Sequence, residues 1–190
     1  GNHDVLLDRP FRRFFLPWRG YKKWINPDLT PQFENDTMIV VGVNSVDRFS
    51  WQTGRLSPAR IKHACTAMSD APHGKARVLV VHHPLEHPAE TKKKPIPGAE
   101  QALEKLLGCG ANLILSAGNF TVKSNGTKAV QLHAGTSLSL RVRGEPNDFN
   151  VIDISDDYIT IERYSFNEES RLFETAEARQ FSRASEIISD

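Results

Sequence analysis

Met38-Ile39-Val40-Val41-Gly42-Val43-Asn44-Ser45 and Val78-Leu79-Val80-Val81-His82-His83-Pro84 are the two stretches on which the fold turns. Each begins as a nearly continuous apolar run. A strand wetted on one face alternates apolar and polar residues. A run that stays apolar belongs to a strand covered on both faces. Leu113-Ile114-Leu115 is a third such run. Helix signals lie between them. Ser57-Pro58 is a good N-cap and first-turn pair, and Ile61, Ala64, Cys65 and Met68 follow at helical spacing. Pro97-Gly98 opens a second helix with Ala102, Leu103, Leu106 and Leu107 on one face, and Gly108 and Gly110 end it. Strand, helix, strand, helix, strand predicts an α/β fold.

The last third changes character. Residues 149–154 and 158–164 read as two strands around an Asp156-Asp157 turn. Phe149, Val151 and Asp153 would share one face of the first, and Asn150, Ile152 and Ile154 the other. Ile159 and Ile161 would share a face of the second. Residues 86–98, with three prolines and Lys92-Lys93-Lys94, read as an exposed loop.

Composition narrows the class. The 190 residues suit one globular domain, 1–190, and argue against disorder, collagen and coiled coil. No apolar run approaches the roughly 20 residues of a membrane span. A net charge of +1 weighs against nucleic acid as the main partner. That charge is unevenly spread. Residues 1–144 carry 20 basic and 11 acidic side chains, and residues 145–190 carry 4 and 12. The two cysteines, Cys65 and Cys109, make no disulfide framework, which predicts a reducing, cytoplasmic setting. The chain opens on Gly1 without a signal-peptide pattern, which predicts processing or cutting.

Chemistry concentrates in two places. Residues 1–4 read Gly1-Asn2-His3-Asp4, and Val80 to Pro84 close an apolar strand with His82 and His83. Strand ends are where open α/β sheets place their sites. Histidine and asparagine ligate metals, and an aspartate beside a histidine orients its ring.

With these pieces the sequence resembles the calcineurin-like metallophosphoesterases, in particular their bacterial phosphodiesterase branch. The likeness rests on GNHD at 1–4, MIVVGVNS at 38–45, VVHHPLEHP at 80–88 and the segment from Ala134 to Val151. It implies a two-sheet sandwich flanked by helices, with two divalent ions such as Mn, Fe or Zn between the sheets. It also implies hydrolysis of phosphoesters by a metal-bound hydroxide. Residue by residue, it makes Asn2 and His82 metal ligands, His3 the catalytic histidine and Asp4 its orienting partner. Arg141 and Arg143 are candidates for the substrate phosphate, since a guanidinium fork donates bidentately. An ion pair with the acidic tail competes with that role.

The likeness also shows what is missing. The family's Asp-x-His and GDxxD motifs precede GNHD, so this chain reads as incomplete at the N-terminus. The family's downstream GHxH falls on Leu113 to Thr121, where Ala117, Gly118 and Phe120 stand in the direct match. Shifting by one residue offers Asn119 and Thr121 instead. Two neutral ligands supply no bridging anion, so weak metal binding and weak or absent turnover are expected. The expected function is an impaired phosphoester hydrolase domain acting on a nucleotide-type small molecule. The alternative is a non-catalytic remnant that binds a partner. A missing sheet segment would also leave strand edges open to self-association.

The remaining histidines read as structural. His63 falls on an exposed helix face, His73 in a polar turn, and His83 orients a strand end. His87 is a substrate-facing candidate in the next loop. His133 could replace a lost ligand, although a core or edge position is favoured. Finally, Phe11, Phe14, Phe15, Trp18, Tyr21 and Ile25 recur at helical spacing among Arg12, Arg13, Arg19, Lys22 and Lys23. Base stacking and an interfacial membrane helix are two readings of this stretch. The favoured one is a cover, with aromatics packed on the sheet and basic ends reaching water.

Overall fold

The computed structural model describes residues 4–5, 10–50, 53–87, 95–118, 121–124, 129–138 and 146–183. Two short helices come first, α1 (Pro10–Phe15) and α2 (Arg19–Trp24), then strands β1 (Gln32–Glu34) and β2 (Met38–Val43). Helix α3 (Pro58–Asp70), strand β3 (Ala76–Val81), helix α4 (Ala99–Gly108) and strand β4 (Leu113–Ala117) follow. Strands β5 (Thr121–Ser124), β6 (Val130–Ala134), β7 (Asp148–Ile154), β8 (Tyr158–Asn167) and β9 (Leu172–Ser182) complete the described chain.

The three apolar runs are the interior of one sheet. Its six strands lie in the order β1-β2-β3-β4-β6-β5. Strands β2, β3, β4 and β6 are parallel, and β1 and β5 close the edges antiparallel. One face meets α3 and α4 through Val41, Leu79, Val81 and Ile114, packed on Ala64, Met68, Ala102 and Leu106. The other face meets β7-β8-β9, an antiparallel sheet, through Val78, Leu113, Val130 and Leu132 against Ile159 and Ile161. Covering on both faces is why these strands carry no polar alternation. The fold is therefore α/β, with two packed sheets and helices on the far side of the larger one.

Local chemistry sets the helix ends. The Ser57 hydroxyl accepts from the Arg60 N–H, and Pro58 occupies the first turn. Gly98, at φ 77°, caps α4 in a conformation that a side chain would strain. Arg77 is buried and donates from Nε to the Met68 carbonyl at 2.7 Å and from Nη2 to Ala71 at 3.4 Å. A cation there meets the negative end of α3.

The β7–β8 turn falls at Asp156-Asp157 as expected, closed by Ser155 N–H to Tyr158 O at 2.9 Å. The face assignment also holds, with Ile152 and Ile154 packed on the core and Val151 exposed. Part of loop 86–98, including the three lysines, lies outside the described residues.

Two expectations are corrected. Cys65 and Cys109 are joined as a disulfide between α3 and the end of α4. The two helices lie side by side on one sheet face, which brings together thiols 44 residues apart. The expected reducing setting rested on unpaired cysteines, and the pairing removes that ground. The aromatic stretch is a cover only in part, for Trp18 and Tyr21 are half-buried beside the end of the sheet. Phe11, Phe14, Phe15, Trp24 and Ile25 are exposed, while Arg13 is buried.

Candidate functional site

The two stretches that set the sheet also set its mouth. Strands β2 and β3 run parallel in register, Val43 beside Val81, so Asn44-Ser45 and His82-His83 emerge together at their C-terminal ends. A cavity of about 470 Å³ opens there. Gly42, Val80 and Leu115 line it, on the face turned towards the smaller sheet. Val80 lies on an interior strand yet is 40% exposed, because it faces this cavity. Trp18, Tyr21, Leu29 and Pro31 wall the cavity from the N-terminal side, and Ala117, Ala134 and Gly135 from the other.

Its polar groups are few and differently held. Asp4, exposed at the rim, and His82 both line the cavity. The His82 ring meets that of His83 edge-on at 4.8 Å, and its carbonyl accepts the Ala117 N–H at 3.1 Å. Asn44 Oδ1 accepts the Val46 N–H at 2.9 Å, which turns the chain away from β2. Its buried Nδ2 has no hydrogen-bond partner among the described residues. A buried donor left unmade costs about 1–3 kcal/mol, so a ligand acceptor here gains by meeting it. Ser45 is fully buried, and its hydroxyl pairs with His83 Nδ1 at 2.8 Å and accepts the His83 N–H at 3.2 Å. Gly54 lies flat on that ring, since a Cβ there would stand 2.3 Å from Nδ1. His83 thus orients the strand end, as expected.

The rim is tied to the smaller sheet. Buried Asp148 Oδ2 receives both Nε and Nη2 of Arg163 at 2.7 Å. The Asp148 N–H donates to Thr136 O at 3.1 Å. Its Oδ1 presses on Gly135, where a Cβ would approach to 2.3 Å. A side chain at Gly135 would have to displace a buried ion pair.

His133 is elsewhere. Along β6, Val130 and Leu132 face the smaller sheet, so Gln131 and His133 face the helix side. His133 is buried there and does not line the cavity. Burial pushes its pKa down, as does the nearby His87, while Glu86 works upward. Glu86 also accepts from Gln131 Nε2 at 2.9 Å. His87 shares this helix-side group and is absent from the cavity wall. His63 and His73 are exposed, and His63 Nε2 meets Gln32 Nε2 at 3.2 Å.

Of the sequence-derived site residues, Asp4 and His82 come to one cavity. Asn2, His3, Arg141 and Arg143 lie outside the described residues, as do Asn119 and Phe120. Trp18, Tyr21, Asn44 and Ser116 were missed as cavity residues. Asn44 had a signal, since it follows an apolar strand just as His82 does. Two close divalent ions need several carboxylates to offset their charge. Around the cavity the described polar side chains are one carboxylate (Asp4), one imidazole (His82), the Asn44 amide and the hydroxyls of Tyr21, Ser45 and Ser116. Among the described residues no group of three His, Cys, Asp or Glu stands ready for a metal. Among the described residues this donor set does not fit a two-metal cluster.

No protein-family profile matches the chain, and no curated protein matches it. Among solved structures it is similar to Vps29 from Chaetomium thermophilum, at 9% identity and a TM-score of 0.38. That match covers 81% of this chain and spans 60% of the Chaetomium chain. A predicted phosphoesterase from Streptococcus pneumoniae matches at 13% identity and a TM-score of 0.35, covering 76% of this chain and 97% of that one. Vps29 from Entamoeba histolytica complexed with zinc matches at 11% identity and a TM-score of 0.34, covering 77% and 99%.

Proposed function

We propose that the chain is a metallophosphoesterase-type domain whose site works as a ligand cavity, with hydrolysis weak or absent. The observation that carries this reading is the meeting of Asp4 and His82 on one cavity, from two motifs far apart in sequence. The end of β4 supports the second half of it. Ala117, which the resemblance puts at the glycine of GHxH, lines the cavity, and the histidine positions after it are Gly118 and Phe120 in this sequence. In this reading Asn2 and His82 would be ligands of one metal ion, not of a two-metal cluster, with His3 the catalytic histidine and Asp4 its orienting partner. Arg141 and Arg143 would meet the phosphate. The ligand is a phosphoester of nucleotide type, with its organic part against Trp18, Tyr21 and Val80 and a polar atom on Asn44.

Two measurements test the reading. Thermal shift with nucleoside monophosphates, with and without manganese, should show stabilisation that His82→Ala removes. Hydrolysis of bis-p-nitrophenyl phosphate with manganese should stay near the rate of buffer. Robust turnover lost in His3→Ala would overturn the weak-hydrolysis half. Absence of any nucleotide effect would overturn the cavity half. Self-association through sheet edges is a lesser part of the proposal. The long open edge is β9, eleven residues with Glu174, Glu177 and Arg179 along it, and such charges oppose edge pairing.

A further inference from the structure

Helix α1 is built inside out. Among its described side chains the buried one is Arg13, 5% exposed, which donates to the Ser50 carbonyl. Phe11 and Phe15 are each 69% exposed, with ring centroids 4.7 Å apart. Positions 11, 14 and 15 form one stripe on a helix, with position 13 across the axis. The stripe continues onto the loop that follows β2. The Phe49 ring lies 5.9 Å from Phe14, beneath the Arg48 guanidinium at 4.8 Å. Arg48 Nη1 also donates to the Phe14 carbonyl at 3.1 Å, fixing loop to helix. On α2, Trp24 is 75% exposed, with Lys23 Nζ 4.5 Å over its ring. Exposed side chains of this size usually avoid water unless something else receives them.

Charge identifies the receiver. From Phe11 to Pro27 the sequence has no acidic residue, while Arg12, Arg19, Lys22 and Lys23 are all exposed. The buried centre of a protein interface is depleted in lysine. Phenylalanine, tryptophan and leucine mixed with lysine and arginine is the composition that lies in a lipid interface. Tryptophan prefers headgroup depth, and the cations meet lipid phosphates there. We propose that the α1–α2 surface docks on an anionic lipid surface. Phe11, Phe14, Phe15 and Trp24 enter the headgroup–acyl boundary. This is peripheral docking and needs no span. Among the described residues no helix is long and apolar enough to cross a membrane.

The test is co-sedimentation of the chain with phosphatidylcholine vesicles, with and without phosphatidylglycerol. The expected result is sedimentation with the anionic vesicles, weakening as salt is raised. Phe14→Ser/Phe15→Ser should abolish it. Lys22→Glu/Lys23→Glu should weaken it about tenfold or more, because each cation near such a surface counts severalfold. These side chains are exposed, so both variants should keep the wild-type far-UV spectrum. Phe33→Ser, an exposed phenylalanine on β1, should bind as wild type does. No binding to either vesicle would overturn the proposal, as would equal, salt-insensitive binding to both. A dimer in sedimentation velocity that Phe14→Ser/Phe15→Ser dissociates would make a second copy the occupant, and would overturn it too.

Discussion

The chain holds two pairs of helices that treat the same side chains in opposite ways. Helices α3 and α4 turn Ile61, Ala64, Met68, Ala102 and Leu106 onto the larger sheet and leave their charges in water. Helix α1 turns an arginine inward and leaves its phenylalanines outside. The first pair is held by the hydrophobic effect, at roughly 1.5–3 kcal/mol for each large side chain buried. Helix α1 is held by directed contacts, from Arg13 to Ser50 and from Arg48 to Phe14. A hydrophobic stripe is a fact about one helix. The side it faces is a fact about its neighbours.

The comparison breaks most readily at its conventional end. Leu106→Ala leaves a cavity between α4 and the sheet, and should cost about 2–5 kcal/mol in urea unfolding. Next comes the bond between the conventional helices. A closed loop of 44 residues predicts a loss of about 2–4 kcal/mol in Cys65→Ala/Cys109→Ala. Reductant should match that loss in the wild type and leave the variant unmoved. If reductant has no effect on the wild type, the two thiols are not paired in solution.

The inside-out helix follows. Arg13→Met keeps much of the stem but loses the bond to Ser50 O, which at a charged group is about 1–3 kcal/mol. That an arginine should matter more to α1 than any of its phenylalanines is the sharpest form of the contrast. A urea midpoint equal to wild type in Arg13→Met would remove it.

These differences also say what sequence could reveal. Strands β2, β3 and β4 announce themselves because burial on both faces makes them apolar throughout. Helices α3 and α4 are marked by caps and by stripes that face the core. Strand β9 gave no such signal, since it is an edge strand with most side chains in water. Strands β1 and β5 are three and four residues long, below what a pattern can carry. Asp4 and His82 were legible as motifs, but the walls around them were not. Trp18 and Tyr21 reach the cavity because of how α1 and α2 are folded back, which no local pattern encodes. The aromatic stripe was seen, and its direction was right for Trp18 and Tyr21 but wrong for Phe11, Phe14 and Phe15, because helical periodicity has no sign relative to the core. Pairing of Cys65 with Cys109 depends on two helices meeting, and spacing alone does not fix that.

The polar group on the helix side of β6 offers a further contrast with the cavity end. Burial, aided by His87, holds the His133 pKa below the ordinary histidine value of about 6.5. The unfolded chain then takes up this proton more readily as pH falls. The stability from keeping His133 neutral is fully present above the unfolded pKa. It is lost as pH drops below that value towards the folded one. Urea midpoints on either side of about pH 6.5 should therefore be lower on the acid side, and His133→Gln should flatten the difference. A wild-type midpoint that rises on acidification would reverse the assignment.

The smallest expected change says the most about α1. Phe15→Ser removes a large apolar side chain from a helix, which in α4 would be severe. Here the ring is mostly in water already, and its neighbour is Phe11, equally exposed. Little apolar area changes its contact with solvent, so the unfolding free energy in urea should move by about 0.5 kcal/mol or less. A loss near that of Leu106→Ala would mean that Phe15 is buried against the body of the protein in solution. Arg13 would then have to face water, since the two lie across the helix from each other. Measured together, Phe15→Ser and Arg13→Met therefore fix the orientation of α1, because no single rotation of the helix makes both side chains dispensable.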